Sequence, residues 1–108
     1  MSLDNTDTID AFGIDSSDGQ AVLTIVDGWD WQDERAHLIA LQSKLNAYFA
    51  FVESNQIAEI EPAWREKGAR IEVLFKSRPS DSAISLLKTA EVVAKPLNLG
   101  VCHRVHSV

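Results

Sequence analysis

The chain has a single cysteine, a single methionine, three prolines and five glycines in 108 residues. Cys102 alone excludes an internal disulfide and fits a reducing compartment. No apolar run approaches the ~20 residues that span a bilayer, and residues 1–10 lack the basic start and apolar stretch of a secretion signal. Cytoplasmic residence without membrane contact is therefore the expectation. Positive charge is also scarce, with 10 basic side chains against 16 acidic and a net charge of −6. A phosphate backbone needs a basic surface, so nucleic acid is not an expected partner. The scattered glycines match neither a dinucleotide nor a P-loop spacing. Ser80-Asp81-Ser82 lacks the Gly-x-Ser-x-Gly of a nucleophile elbow. No cofactor is expected.

What is present is a core. Apolar residues make up 45% of the chain, enough for one domain over residues 1–108. Residues 1–7 read as frayed. Residues 9–14 and 20–27 alternate in the strand period around Asp15-Ser16-Ser17-Asp18-Gly19, which predicts a β-hairpin. Asp30 stands where a helix N-cap belongs, with Asp33 and Glu34 in the first turn. Leu38, Leu41, Leu45, Tyr48 and Val52 then form one stripe, predicting a helix over about 31–53 that ends near Ser54-Asn55. Residues 56–68 are ambiguous, with 56–61 compatible with a short edge strand that Pro62 would stop, and 69–76 reads as a clear strand. Ser80 caps a second helix whose stripe is Ala83, Leu86, Ala90, Val93 and Leu97, stopped by Pro96. A last strand follows Gly100, with Cys102, Arg104 and His106 on one face and Leu99, Val101, His103 and Val105 on the other.

The order β-β-α-(β)-β-α-β predicts an α+β two-layer sandwich. Its sheet is mainly antiparallel, with four to five strands, and both helices cover one face. The last β-α-β unit is compatible with a parallel crossover. Leu74 falls on the uncovered sheet face, together with Arg70, Glu72 and Arg104. Residues 1–61 hold 12 acidic and 2 basic side chains, and residues 62–108 hold 4 and 8. Such asymmetry is neutralised within one fold when the two halves interleave.

Several segments carry a family resemblance. They are Asp4-Asn5, Asp7-Thr8-Ile9-Asp10, Gly19…Val22-Leu23-Thr24-Ile25, His37-Leu38…Leu41-Gln42…Lys44-Leu45-Asn46…Tyr48 and Phe51-Val52-Glu53-Ser54. Over roughly residues 4–77 the chain resembles an uncharacterised family of small bacterial proteins, a domain of unknown function. Leu41 to Tyr48 is the most specific part. The resemblance implies membership but no activity and no catalytic residues.

The residues with chemistry to offer fall into three groups. Asp30, Asp33, Glu34 and His37 cluster at the start of the first helix, and Glu34 and His37 share a face at a spacing used by carboxylate-bridged metal sites. No second Glu-x-x-His supplies the remaining ligands, so the plainer reading is helix-end charges with an exposed histidine. Cys102 and His103 point to opposite faces of a strand, and Cys102 and His106 stand about 13 Å apart at ~3.3 Å per residue. Trp29, Trp31 and Trp64 lie in connections, with Arg35 one turn after Trp31 and able to stack on it.

The leading expectation is a non-enzymatic protein-binding or regulatory domain of the immunity or adaptor class. Trp29, Trp31, Arg35, Trp64 and Leu74 would meet a protein partner or a second copy of the chain. The alternative is a small hydrolase or ligand-binding enzyme using Asp30, Asp33, Glu34 and His37 with Cys102. It requires one cleft that gathers these side chains.

Overall fold

The structure is a computed structural model and describes residues 9–105. The expected fraying of residues 1–7 and the placement of His106 lie outside the described residues. Strand β1, Ala11–Ile14, pairs antiparallel with β2, Ala21–Asp27, in the predicted hairpin. Its turn is held by the Asp15 carboxylate, which accepts from the Ser17 N–H, and by Gly19 at φ 75°.

Helix α1, Glu34–Glu53, then runs back along the sheet. Its cap is Asp33, whose carboxylate accepts from the Ala36 N–H at 3.1 Å. The predicted cap, Asp30, instead accepts from Gln32 N–H and shapes the preceding loop. The helix closes as expected, with Asn55 in the left-handed region at φ 65°.

The ambiguity over residues 56–61 resolves to helix, not strand. Ile57–Ile60 is the short helix α2, with bonds such as Ala58 N–H to Asn55 O. Ile57 is buried and Ile60 is exposed. Trp64–Lys67 forms a second short helix, α3. Strand β3, Ala69–Phe75, follows, then α4, Asp81–Ala94, capped by Ser80 as predicted, a 3₁₀ turn over Lys95–Leu97, and β4, Leu99–Val105.

The sheet order is β1-β2-β3-β4, with β2-β3 and β3-β4 both parallel. The chain is α+β, but its sheet is mixed where a mainly antiparallel one was expected. A 20-residue helix is ~30 Å long, and α1 returns the chain to the end where β2 began, so β3 must run the same way as β2. The same logic holds for α4 between β3 and β4. Both crossovers step in one direction across the sheet, and right-handed connections then place both helices on one face. That face carries Leu23, Ile25, Ile71, Val73, Phe75 and Val101, which form one buried cluster with Leu41, Leu45, Tyr48, Leu87 and Ala94.

The stripe of α4 is rotated from the expected one. Ala83, Leu87, Ala90 and Ala94 are buried, whereas Val93 is 52% exposed. Three small alanines bring the helix axis close to the sheet, and the larger Leu86 and Val93 are turned to its flank. Among the described residues no helix is long and apolar enough to cross a membrane.

Candidate functional site

Ligands of parallel sheets collect beyond the carboxyl ends of the strands, and here that end holds the densest polar and aromatic cluster. Asp27 is the last residue of β2, on the helix-facing side, and His37 lies in the first turns of α1 directly above it. Their exposures are 1% and 0%. The His37 Nε2 stands 2.5 Å from Asp27 Oδ2, and its Nδ1 stands 2.8 Å from the Asp30 carbonyl oxygen. A carbonyl only accepts, so Nδ1 carries a hydrogen, and the short Nε2–Oδ2 contact requires one more proton between the two groups. The other Asp27 oxygen accepts from the Trp29 N–H at 3.0 Å. Burial drives the Asp27 carboxyl above its ordinary range, opposed by the hydrogen bonds from His37 and Trp29.

Aromatic rings seal this pair. Trp31 lies flat on the imidazole, with centroids 3.5 Å apart and planes at 17°, and its Nε1–H reaches the Ser77 carbonyl in the β3–α4 loop at 3.5 Å. Trp29 tilts against His37 at 5.5 Å. Phe75 lies 6.3 Å from Trp31 and 5.8 Å from His103, so a line of rings crosses the ends of β2, β3 and β4. Outside it is a shallow depression of about 390 Å³ lined by Gly28, Trp29, Asp30, Gln32, Asp33 and Ala36.

A second buried polar group anchors residue 10. Lys44 is fully buried, with Nζ 2.8 Å from Asp10 Oδ1, and Asp10 Oδ2 accepts from Val26 N–H. The Tyr48 hydroxyl donates to Thr24 O at 2.6 Å and accepts from Asp10 N–H at 2.8 Å. Burial raises the Tyr48 hydroxyl well above its ordinary value, which keeps it a donor.

The expected acidic and thiol set is not gathered in one cleft. His37 is buried rather than exposed, Asp33 is occupied as the cap, and Asp30 holds its own loop. Cys102 pairs in register with Glu72 on the uncovered sheet face, so the sheet separates it from His37. Its Sγ–H donates to Ile71 O at 3.6 Å, and burial followed by the Glu72 charge pushes the thiol up, away from nucleophilic use. Among the described residues no three His, Cys, Asp or Glu side chains group as a metal site.

The aromatic set divides. Trp29 and Trp31 are half-buried at the strand ends, and Arg35 is exposed beside them. The ring stacked on Trp31 is the His37 imidazole. The cation stacked on a tryptophan is Arg65, 5.0 Å over Trp64. Trp64 itself is only 2% exposed and belongs to the core, so its ring is not presented to a partner. Its Nε1–H has no acceptor among the described residues. Leu74 is half-buried on the uncovered face, in register with Val26 and Arg104. On that face Arg70 binds Asp15 at 2.6 Å, and Arg104 binds Glu72 at 2.9 Å.

Sequence reasoning missed Asp27, read only as a strand end, and the burial of His37 and Lys44. The signal was available: His37 stands four residues before Leu41 and Lys44 three after it, both on the core stripe. No protein of curated function and no solved structure gives a significant match. The family match extends past the segment that carries the resemblance, and the chain belongs to a family of unknown function, DUF6572, matched over residues 1–107.

Proposed function

We propose that this chain is a non-enzymatic protein-binding module that docks its partner at the carboxyl end of the parallel strands. The observation that supports this reading is the position of Trp29 and Trp31 over the Asp27–His37 pair. The groups able to move protons are sealed at 1% and 0% exposure, and the surface above them is aromatic. A general base must reach the proton it removes, and His37 has both nitrogens engaged inward. Half-exposed tryptophans are, in contrast, the side chains that most often dominate a protein interface.

The rim names the partner's chemistry. Asp30, Asp33 and Glu34 are exposed around Trp29 with Arg35 beside them, and Lys76 and Arg78 are exposed on either side of Ser77, whose carbonyl receives the Trp31 indole N–H. The fitting partner surface is an apolar side chain with basic residues towards Trp29 and acidic residues towards Trp31. The test is affinity capture by the full chain, followed by titration with the purified captured protein. Trp29→Ala and Asp30→Lys should each weaken binding at least tenfold, with the fold retained by circular dichroism. Binding unchanged by both substitutions would sink the proposal.

A further inference from the structure

The sheet has two outer edges, and they differ. β1 is four residues long, whereas β4 runs for seven, in unbroken register with β3 and without a proline. Ala69 pairs with Leu99, and its N–H donates to Asn98 O. Parallel pairing therefore turns the N–H and C=O of Gly100, Cys102 and Arg104 towards β3, and those of Leu99, Val101, His103 and Val105 outwards. Among the described residues no strand pairs with that outer side. Such an edge is a ready template for another strand. Beside it the flank of α4 carries one cation and one anion. Lys88 and Glu91 line a groove of about 330 Å³ with Val101, Cys102 and His103. Glu91 also lines the next groove along, with Lys95, Leu99 and Gly100, so Lys88 stands nearer the carboxyl end of β4 and Glu91 nearer its start.

We infer that β4 is the self-association edge of the protein and that it pairs antiparallel with β4 of a second copy, about a two-fold axis at Cys102. The main chain selects a strand, because a row of outward N–H and C=O groups is satisfied in series by another extended backbone. The layers select a whole copy over a lone peptide. Two long helices cover four strands here, and two strands at about 4.8 Å each match the ~10 Å spacing of packed helices. A lone strand would leave its helix-facing side bare, whereas a second copy brings its own α4 and continues both layers. The charges select this chain, because a two-fold contact requires one patch to complement itself. The axis sets Lys88 of each copy against Glu91 of the other, and Lys95, beside Leu99, falls at the far end of the seam. On the uncovered face it sets Arg104 opposite Gly100, which has no side chain to obstruct it, while Arg104 keeps its 2.9 Å bridge to Glu72. On the helix-facing side it lays Val105, 44% exposed, against Leu99. Trp29 follows β2, with β3 between it and this edge, so the association does not rest on the docking reading above.

Sedimentation velocity of the full chain from 1 to 200 µM tests this. The wild type should move to twice its chain mass of 11.9 kDa. His103→Pro removes an outward N–H and no bond to β3, so it should stay monomeric with the fold retained by circular dichroism. Lys88→Glu sets two acidic side chains against each other and should weaken the dimer about tenfold. Adding Glu91→Lys to it should restore the wild-type dimer, a rescue that a foreign strand on this edge would not show. These two are surface changes, so they read the contact independently of the proline. Ile14→Lys, on the β1 edge, should dimerise like the wild type. A wild type that is monomeric at 200 µM overturns the inference and leaves the edge to a strand of another protein. A His103→Pro variant that still dimerises, or a charge exchange that does not restore the dimer, overturns it too. Loss of the dimer in Ile14→Lys would move the contact to the opposite edge.

Discussion

Removing either half of the Asp27–His37 pair should give opposite results, and the difference tests how the pair is held. In His37→Ala the Asp27 carboxylate remains buried with the Trp29 N–H as its hydrogen-bond donor. An uncompensated buried charge costs ~3–5 kcal/mol, and Trp31 loses the ring it lies on. For a chain of this length that is about 15–30 °C in melting temperature. Asp27→Asn keeps the shape. Its amide N–H donates to Nε2 while Nδ1–H still donates to Asp30 O, so the cost stays within ~1 kcal/mol. The pH dependence then separates the two. The native Asp27 carboxyl titrates above its ordinary value of 3.8 because burial raises it. The native state therefore holds that proton more tightly than the unfolded chain. The stabilisation is complete below 3.8 and is lost as pH rises through the native value, at about 1.4 kcal/mol per pH unit within that interval. On the alkaline side the lone pairs of Nε2 and Oδ2 oppose each other. Urea denaturation followed by tryptophan fluorescence between pH 4 and 9 reads the effect. The stability of Asp27→Asn relative to wild type should climb with pH. A His37→Ala loss below about 1 kcal/mol, or a flat difference between wild type and Asp27→Asn, would refute the account of the pair.

Two further outcomes follow from the buried polar atoms. Tyr48→Phe strips an acceptor from Asp10 N–H and a donor from Thr24 O, and should cost about 1–3 kcal/mol in urea denaturation; a change near zero would mean that water replaces the hydroxyl. Cys102 should react with iodoacetamide more slowly than a free thiol at pH 8, and its rate should still be rising above the ordinary thiol value of 9.0, because burial and Glu72 disfavour the thiolate. A rate equal to that of a small-molecule thiol would contradict the seating of Sγ against β3.

Much of the chain is decided by local chemistry. The alternation of residues 20–27 and 69–76, the Asp-Gly turn at residues 18–19, the Ser80 cap and the positive φ at Asn55 follow from side-chain size, hydrogen-bonding groups and backbone sterics within a few residues. A helical stripe also marks α1, so the two-layer α+β arrangement was legible from period alone. Strand direction was not, because it depends on where a 20-residue helix delivers the chain, a property of three-dimensional connection. Nor was the rotation of α4, set by how closely Ala83, Ala90 and Ala94 let the helix approach the sheet. The site shows the same division. Tryptophans near the start of α1 were visible as residues, yet only packing decided that Trp31 covers His37 and that Trp64 is interior. Asp27 and His37 are ten positions apart and carry no motif. They become a pair because β2 ends beneath the first turns of α1, and burial there makes each the other's necessary partner.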